Sequence, residues 1–258
     1  MKILATYNIK GGVGKTATAV NLAYLSAQAG IRTLIWDLDP QGAASFYFRI
    51  KPRVKGGGGK LVRGDLDLDA RIKETDFTGL DLLPADFSYR HLDLELEKTK
   101  RPERQIGRVL KPLAENYDLL LIDCAPSISL VSEGVFRAAD VLLVPTIPTP
   151  LSLRTLLQLL KSLHGIRSKR LGVFPFFCMV DRRRSLHRGT ADMAQESPIP
   201  FLQTEIPYSS LVEQMGARRA PLHTYAGSSK PALAYEELWQ EVNAWLRDGK
   251  GYFTKGKE

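Results

Sequence analysis

The first stretch of the chain with residues suited to chemistry lies at positions 8–18, which read NIKGGVGKTAT. Gly14, Lys15 and Thr16 match the end of the phosphate-binding pattern Gly-x-x-x-x-Gly-Lys-Ser/Thr, whereas Ile9 stands where that pattern begins with glycine. Lys10 beside it is a second lysine. Glycines let backbone N–H groups surround phosphate oxygens, Lys15 can bridge the β- and γ-phosphates, and the Thr16 hydroxyl can ligate Mg²⁺. The stretch therefore predicts a site for a nucleoside triphosphate and magnesium.

Acidic residues stand at the ends of two apolar runs. Asp37 and Asp39 lie in LIWDLDPQG, and Asp123 ends the run LLLID. Ligands of open α/β sheets bind outside the carboxyl ends of the strands. Because triphosphate hydrolysis needs carboxylates to hold the metal and to orient water, we expect these three residues to join the phosphate loop.

Short apolar runs alternate with amphipathic stretches along the whole chain. Strand-like runs occupy residues 2–7, 33–37, 80–84, 119–123, 141–145, 172–180 and 201–207, and helix-like stretches occupy 16–29, 103–116, 129–138, 152–166 and 232–247. Continuous Val/Ile/Leu runs separated by helices are typical of a parallel sheet that is covered on both faces. The pattern predicts one α/β domain over residues 1–258, doubly wound, with a mainly parallel sheet and helices on both faces.

One segment departs from this pattern. Residues 49–64 read RIKPRVKGGGGKLVRG, with four consecutive glycines among basic residues. Such a composition buries little apolar area to offset the entropy lost on ordering. We therefore expect a flexible, basic surface loop here.

The composition excludes several classes of site. The two cysteines, Cys124 and Cys178, lie in apolar runs, which predicts buried thiols rather than a zinc or iron–sulfur centre. No apolar stretch approaches the ~18–20 residues of a membrane span, and no signal peptide is recognisable, so we expect a cytoplasmic protein. Lys and Arg outnumber Asp and Glu by 36 to 28, a formal net charge of +8 that is compatible with nucleic-acid binding.

The order and spacing of KGGVGKT, DLDPQG and LIDCAPS resemble the ParA/MinD family of deviant Walker A ATPases. The likeness continues through VLLVPTIPTPLSLRTLLQLL and MVDRRRSLHR, and it is closer to the ParA side than to MinD. The stretch FFCMVDRRRSLHR is also similar to a subgroup that includes McdA-type proteins, which position carboxysomes. The resemblance implies a P-loop NTPase fold, ATP and Mg²⁺ as cofactors, and ATP hydrolysis that is slow without a partner.

The resemblance also implies roles for individual residues. Lys10 would reach the phosphates of a second subunit in an ATP-sandwich homodimer, and Lys10, Lys15 and Asp39 would be catalytic, with Asp39 positioning water. Asp37 and Asp123 would hold Mg²⁺ with Thr16. The nucleotide would contact Lys10, Gly11, Gly12, Val13, Gly14, Lys15, Thr16 and Ala17, and the base would contact Asp181, Pro207 and Tyr208. Ala17 and Ala125 depart from the family pattern.

The same resemblance raises three hypotheses about what the ATPase acts on. In the ParA-like hypothesis the ATP dimer binds nonspecific DNA of the nucleoid and positions a plasmid, a chromosome region or a protein assembly. An adaptor protein linked to that cargo would stimulate hydrolysis. The predicted DNA contacts are Arg182, Arg183, Arg184, Arg188, Arg218 and Arg219.

Two alternatives remain open at this level. A MinD-like protein would insert a C-terminal amphipathic helix into a membrane, and Leu238, Trp239, Val242, Trp245 and Leu246 form such a stripe. The acidic residues beside the stripe favour docking on the sheet instead. The second alternative is a metabolic or chaperone ATPase of the same fold.

Overall fold

The structure, a computed structural model, describes residues 1–166, 171–187, 189–190 and 201–248. Within these residues an eight-stranded sheet has the spatial order β3-β4-β2-β5-β1-β6-β7-β8. The strands are β1 (Lys2–Thr6), β2 (Thr33–Asp37), β3 (Lys73–Glu74), β4 (Leu80–Leu83), β5 (Leu119–Asp123), β6 (Val141–Thr146), β7 (Gly172–Val180) and β8 (Ile206–Pro207). Neighbouring strands are parallel except for β3 and β4. The predicted mainly parallel sheet is confirmed.

Helices connect most of the strands. They are α1 (Lys15–Gln28), α2 (Ala43–Tyr47), α3 (Gly57–Arg63), α4 (Leu92–Glu97), α5 (Pro102–Leu110), α6 (Leu130–Ala138), α7 (Pro150–His164), α8 (Ser210–Arg218), α9 (His223–Ala226) and α10 (Lys230–Asp248). Two 3₁₀ turns, Phe87–His91 and Lys111–Glu115, precede α4 and β5.

Successive residues of the strands point to opposite faces of the sheet and enter two separate cores. Leu4 packs in a cluster with residues of α1 and α10, such as Leu22 and Leu238. Its neighbour Ala5 belongs to a second cluster with residues of α6 and α7, such as Val135. Because both faces are covered, the central strands tolerate continuous apolar runs, and the doubly wound architecture is confirmed.

The prediction of a loop throughout residues 49–64 was wrong for its second half, which forms α3. Leu61 and Val62 of α3 are fully buried. A Cβ atom at Gly58 would lie 2.7 Å from Leu92 Cδ2 and 2.8 Å from Tyr89 Cδ1. The glycines therefore allow α3 to pack closely against its neighbours, and this packing provides the apolar burial that a flexible loop would lack.

The C-terminal helix docks on the sheet. Leu238, Trp239 and Val242 of α10 are buried, and the Trp245 ring lies edge-on to Phe174 with 5.2 Å between ring centroids. The apolar stripe that the MinD-like alternative would insert into a membrane thus packs against the sheet. Over the described residues, no helix combines the length and the apolar character that crossing a membrane requires.

Candidate nucleotide-binding site

The phosphate loop connects β1 to α1 and is anchored by a buried asparagine. Asn8 Nδ2 donates to the Pro145 carbonyl at 2.9 Å, and Asn8 Oδ1 accepts from the Lys10 backbone N–H at 2.9 Å. Gly12 and Gly14 have φ values of 69° and 95°, in the left-handed region that side chains disfavour. The loop conformation therefore depends on glycine at both positions.

Gly14 also lies against β7. A Cβ atom at this position would be 2.7 Å from Cys178 Sγ, so a larger residue would have to displace the thiol or the loop. Cys178 is buried beneath the loop, as is Cys124 after β5, in agreement with the prediction of buried thiols.

Lys15 is the buried cation of the site. Its side chain donates from Nζ to the Lys10 carbonyl at 3.2 Å, and the residue is only 7% exposed. Burial lowers the pKa of Lys15, while the nearby carboxylates of Asp123 and Asp39 act in the opposite direction. A phosphate entering the cavity would supply the counter-charge that favours the ammonium form.

Asp37 and Asp123 lie side by side at the ends of β2 and β5, where the parallel register pairs them directly. Both are fully buried. Asp37 Oδ2 accepts from the Ser45 backbone N–H and from Ser45 Oγ, each at 2.7 Å. Burial raises the pKa of Asp37 to about 6, and burial together with the Asp37 charge raises the pKa of Asp123 to about 8.

This carboxylate pair fits a magnesium ion. Asp37 Oδ1 and Asp123 Oδ2 are buried and accept no hydrogen bond from described residues, whereas Asp123 Oδ1 accepts one from Thr6 Oγ1 at 3.4 Å. Thr16 lines the adjacent cavity. Among the described residues no group of three His, Cys, Asp or Glu side chains could hold a metal alone. That agrees with Mg²⁺ chemistry, in which one or two carboxylates share the ion with waters and substrate phosphates.

Beside the loop is a cavity of about 340 Å³. Its phosphate end is lined by Gly11, Gly12, Gly14, Lys15, Thr16, Ala17 and Asp39. Pro207 and Tyr208, the predicted base contacts, also line the cavity. Asp39 Oδ1 accepts from the Gln41 N–H at 2.9 Å, which fixes the carboxylate at the cavity wall. The described lining does not include Lys10, or Val13, whose side chain is buried beneath the loop.

Several lining residues were not predicted from the sequence. They come from four separate parts of the chain: Tyr47, Met179, the segment with Ile206, Val212 and Glu213, and Tyr235. Met179 has a φ of 58° beside an irregularity in the pairing of β7 with β8. Non-glycine residues with a left-handed backbone conformation often occur at functional sites. The sequence gives no signal that a methionine adopts this conformation.

Asp181 does not reach the cavity, contrary to the prediction of a base contact. Its carboxylate pairs with Arg183, at 2.9 Å from Nε and 3.1 Å from Nη2, and with Arg184 at 3.5 Å. The Arg183 guanidinium holds the pKa of Asp181 below its usual value. The carboxylate is thus paired with two cations and is not among the described residues that line the cavity.

The other predicted DNA contacts form two basic surfaces. Arg182 pairs with Glu205 at 3.0 Å and lies next to Arg183 and Arg184 after β7. At the end of α8, the Arg218 guanidinium lies 5.6 Å from the Tyr225 ring centroid, and Arg219 Nε donates to the Phe46 carbonyl at 3.1 Å. Arg188 lies outside the described residues.

Comparisons with known proteins identify the family. Residues 1–172 match the family described as an AAA domain. The chromosome partitioning protein ParA of Caulobacter vibrioides (strain NA1000 / CB15N) is 32% identical over 257 residues, which cover 96% of this chain and 96% of that protein. The chain belongs to the ParA family. This family of partitioning ATPases is the one that the three sequence motifs predicted.

Solved structures share the fold of this chain. A cobyrinic acid a,c-diamide synthase from Mycobacterium smegmatis, with bound ADP and magnesium, aligns with a TM-score of 0.81 at 27% identity and covers 99% of this chain and 100% of its own. A McdA–ATP complex from Cyanothece aligns with a TM-score of 0.82 over 99% of both chains. At 22% identity, the comparison with McdA shows only that the two proteins share a fold.

Proposed function

We propose that this chain is a ParA-type ATPase that uses ATP and Mg²⁺ to form a sandwich dimer, binds nonspecific DNA in that state, and positions or partitions a cargo. One observation carries the proposal: a single cavity is lined by the phosphate loop at one end and by Asp39, and it adjoins a buried carboxylate pair. An adaptor protein linked to the cargo would stimulate hydrolysis and release the dimer from DNA.

Five polar residues of the site have roles in this reaction. Lys15 neutralises the phosphates, Thr16 with Asp37 and Asp123 holds Mg²⁺, and Asp39 orients the attacking water. Magnesium neutralises charge on the phosphate oxygens. Because orientation of water contributes much of the barrier reduction, a site with only one orienting carboxylate turns over slowly until a partner completes it.

Lys10 supplies the reason for a dimer. Its backbone is fixed by Asn8 and by the Lys15 ammonium, but its side chain is outside the described lining of its own cavity. A cation in this position is available to the phosphates of a facing subunit. ATP then stabilises the dimer because the nucleotide binds the associated form more tightly, and hydrolysis weakens it.

The basic surface after β7 is suited to the DNA backbone. The side chains of Arg182, Arg183 and Arg184 are 81%, 86% and 69% exposed. Arginines at this exposure can exchange weak surface ion pairs for phosphate contacts, which bring affinity without sequence preference. Such binding would place the protein on the nucleoid in the cytoplasm. Burial of the apolar stripe of α10 supports DNA over a membrane as the surface.

The deciding measurement is the affinity for a random-sequence duplex with ATP, with ADP and without nucleotide, over a range of salt concentrations. We expect binding in the ATP state, with log K falling by about 0.9 per phosphate contact for each tenfold rise in salt. Lys15→Ala is the matched control, because it removes the phosphate lysine and should abolish the effect of ATP. If the wild-type protein binds no duplex in any nucleotide state, the DNA-dependent cycle is refuted.

The adaptor protein would determine which cargo the ATPase positions. A plasmid, a chromosome region and a protein assembly such as the carboxysome are the candidates, and a metabolic activity like the one named for the M. smegmatis protein is the competing class. ATP-dependent, salt-sensitive DNA binding favours the partitioning role, since a small-molecule ligase has no need of it.

A further inference from the structure

A second cavity lies behind the nucleotide cavity, between α2 and α8. We call it the α2–α8 groove; it measures about 580 Å³ and is walled by residues 41–43, α2, residues 49–52 and the end of α8. Three of its side chains, Arg49, Lys51 and Arg219, are cationic, and none of the described lining residues is acidic. The groove therefore presents concentrated positive charge to an incoming ligand.

The backbone is strained at two of these three cations. Arg49 and Arg219 have φ values of 60° and 51°, and Met179 in the nucleotide cavity is the only other described non-glycine residue with positive φ. Strain of this kind persists where the surrounding structure holds it, and it concentrates at functional sites. Arg219 is held by its bond to the Phe46 carbonyl and by stacking, with its guanidinium carbon 4.6 Å from the Phe46 ring centroid.

Arg49 and Lys51 are available to bind an anionic ligand. Arg49 pairs with Asp76 at 3.1 Å, and both side chains are more than half exposed, so the pair is weak and exchangeable. Lys51 is exposed, and its ammonium group forms no ion pair or hydrogen bond with any described residue. Lys51 is thus an exposed cation of the groove that has no ion-pair partner among the described residues.

One loop separates the groove from the nucleotide cavity. Asp39 lines the nucleotide cavity, Gln41 and Gly42 line the groove, and Tyr47 lines both. Gly42 has a φ of 69°, and a Cβ atom there would lie 2.9 Å from Pro52 Cβ. The loop that follows Asp39 therefore packs directly against the segment that carries Lys51.

We propose that the α2–α8 groove binds the phosphodiester backbone of duplex DNA through Lys51, Arg49 and Arg219, and that its shape follows the bound nucleotide through the Asp39–Gly42 loop. This inference rests on the proposed function. It adds Arg49 and Lys51 to the DNA surface. Duplex phosphates are the favoured ligand because the cations come from two segments, residues 49–51 and the end of α8, and the exposed Arg218 adds a further positive charge beside Arg219.

The test compares Lys51→Gln with Lys55→Gln in the duplex titration with ATP. Both variants lose one positive charge from an exposed lysine of the same segment, but Lys55 does not line the groove. We expect Lys51→Gln to reduce the salt slope by about 0.9 and the affinity at 0.1 M salt about eightfold per contact, with Lys55→Gln close to wild type.

The outcomes separate the groove from the proposed function. If wild type binds duplex with ATP and the two variants remain equal to each other, the groove is not a DNA site although the DNA cycle stands. If wild type binds no duplex with ATP, the proposed function fails first. Arg183→Glu in the same series reports on the surface after β7 independently of the groove.

The coupling between the nucleotide cavity and the α2–α8 groove is measured separately. The assay compares the affinity for a fluorescent ATP analogue with and without saturating duplex. By linkage, DNA must change nucleotide affinity by the same factor by which nucleotide changes DNA affinity. We expect Lys51→Gln to reduce that factor and Lys55→Gln to leave it unchanged. An equal factor in both variants would overturn transmission through the Asp39–Gly42 loop.

Discussion

Replacing Asp123 by asparagine should stabilise the magnesium-free protein at neutral pH while weakening its response to magnesium and nucleotide. Asp123 is fully buried opposite Asp37, and its Oδ2 has no described hydrogen-bond partner. Asparagine has the same shape and no charge, and its amide can donate to the unpartnered Asp37 Oδ1. The substitution therefore removes a cost of folding that the wild-type chain retains for metal binding.

The sign and size follow from the pKa of Asp123, which burial raises from 3.8 to about 8. A carboxyl whose pKa is higher in the folded state stabilises the fold only while protonated, so wild-type stability falls as pH rises from about 4 towards 8. Burying a carboxylate beside a like charge costs several kcal/mol, so we expect the asparagine variant to gain on the order of 3 kcal/mol in free energy of unfolding at neutral pH. For a chain of this size the melting temperature should rise by about 6–12 °C.

Thermal unfolding with a chelator between pH 4.5 and 8 measures this effect. The difference between Asp123→Asn and wild type should shrink towards pH 4.5, and magnesium with a non-hydrolysable ATP analogue should raise the wild-type melting temperature more than that of the variant. Asp118→Asn is the control of opposite sign, because Arg32 at 2.8 Å lowers the pKa of that exposed carboxyl to about 2. The reasoning is refuted if Asp123→Asn melts no higher than wild type at pH 7.5.

Three further substitutions test the other parts of the site. Lys10→Ala should retain ATP binding as a monomer but lose ATP-dependent dimerisation in light scattering; a normal dimer would contradict the role in trans. Asp39→Ala should lower ATP turnover by at least about 100-fold and leave the ATP-bound dimer intact, whereas unchanged phosphate release would exclude Asp39 from orienting water. Gly14→Ala should weaken ATP binding by about tenfold or more, since left-handed strain costs about 1–2 kcal/mol and the new Cβ meets Cys178 Sγ at 2.7 Å; unaltered affinity in calorimetry would show that the loop adapts.

The centre of the candidate site could be predicted because its residues lie where strand topology alone places them. Asp37 and Asp123 end two apolar runs, and a parallel sheet brings such ends to one edge, where the structure pairs them in register. The phosphate loop with Gly14, Lys15 and Thr16 could be recognised from its motif, the strand before it and the helix after it. Local pattern and general topology were sufficient for these positions.

Other elements depended on contacts between distant residues. Gly58 was interpreted as part of a flexible loop, yet its packing partners Tyr89 and Leu92 are some thirty residues away in the chain. The strand predicted over 201–207 is paired only at Ile206–Pro207, and α2, α4 and α8 carried no periodic pattern long enough to predict. The apolar end of the nucleotide cavity takes Tyr47 from α2 and Val212 from α8, so these parts of its lining were missed.

Asp181 and Arg183 show how one contact changes two predictions at once. The sequence assigned the carboxylate to the base and the guanidinium to DNA, but the structure pairs them through two hydrogen bonds outside the cavity. For Asp181 this pairing replaces the predicted contact. For Arg183 it does not, because an exposed ion pair is weak and a DNA phosphate can substitute for the carboxylate. If DNA binds Arg183 as proposed, Asp181 would compete with a DNA phosphate for the same arginine, and the carboxylate that was expected to bind nucleotide would instead limit DNA affinity.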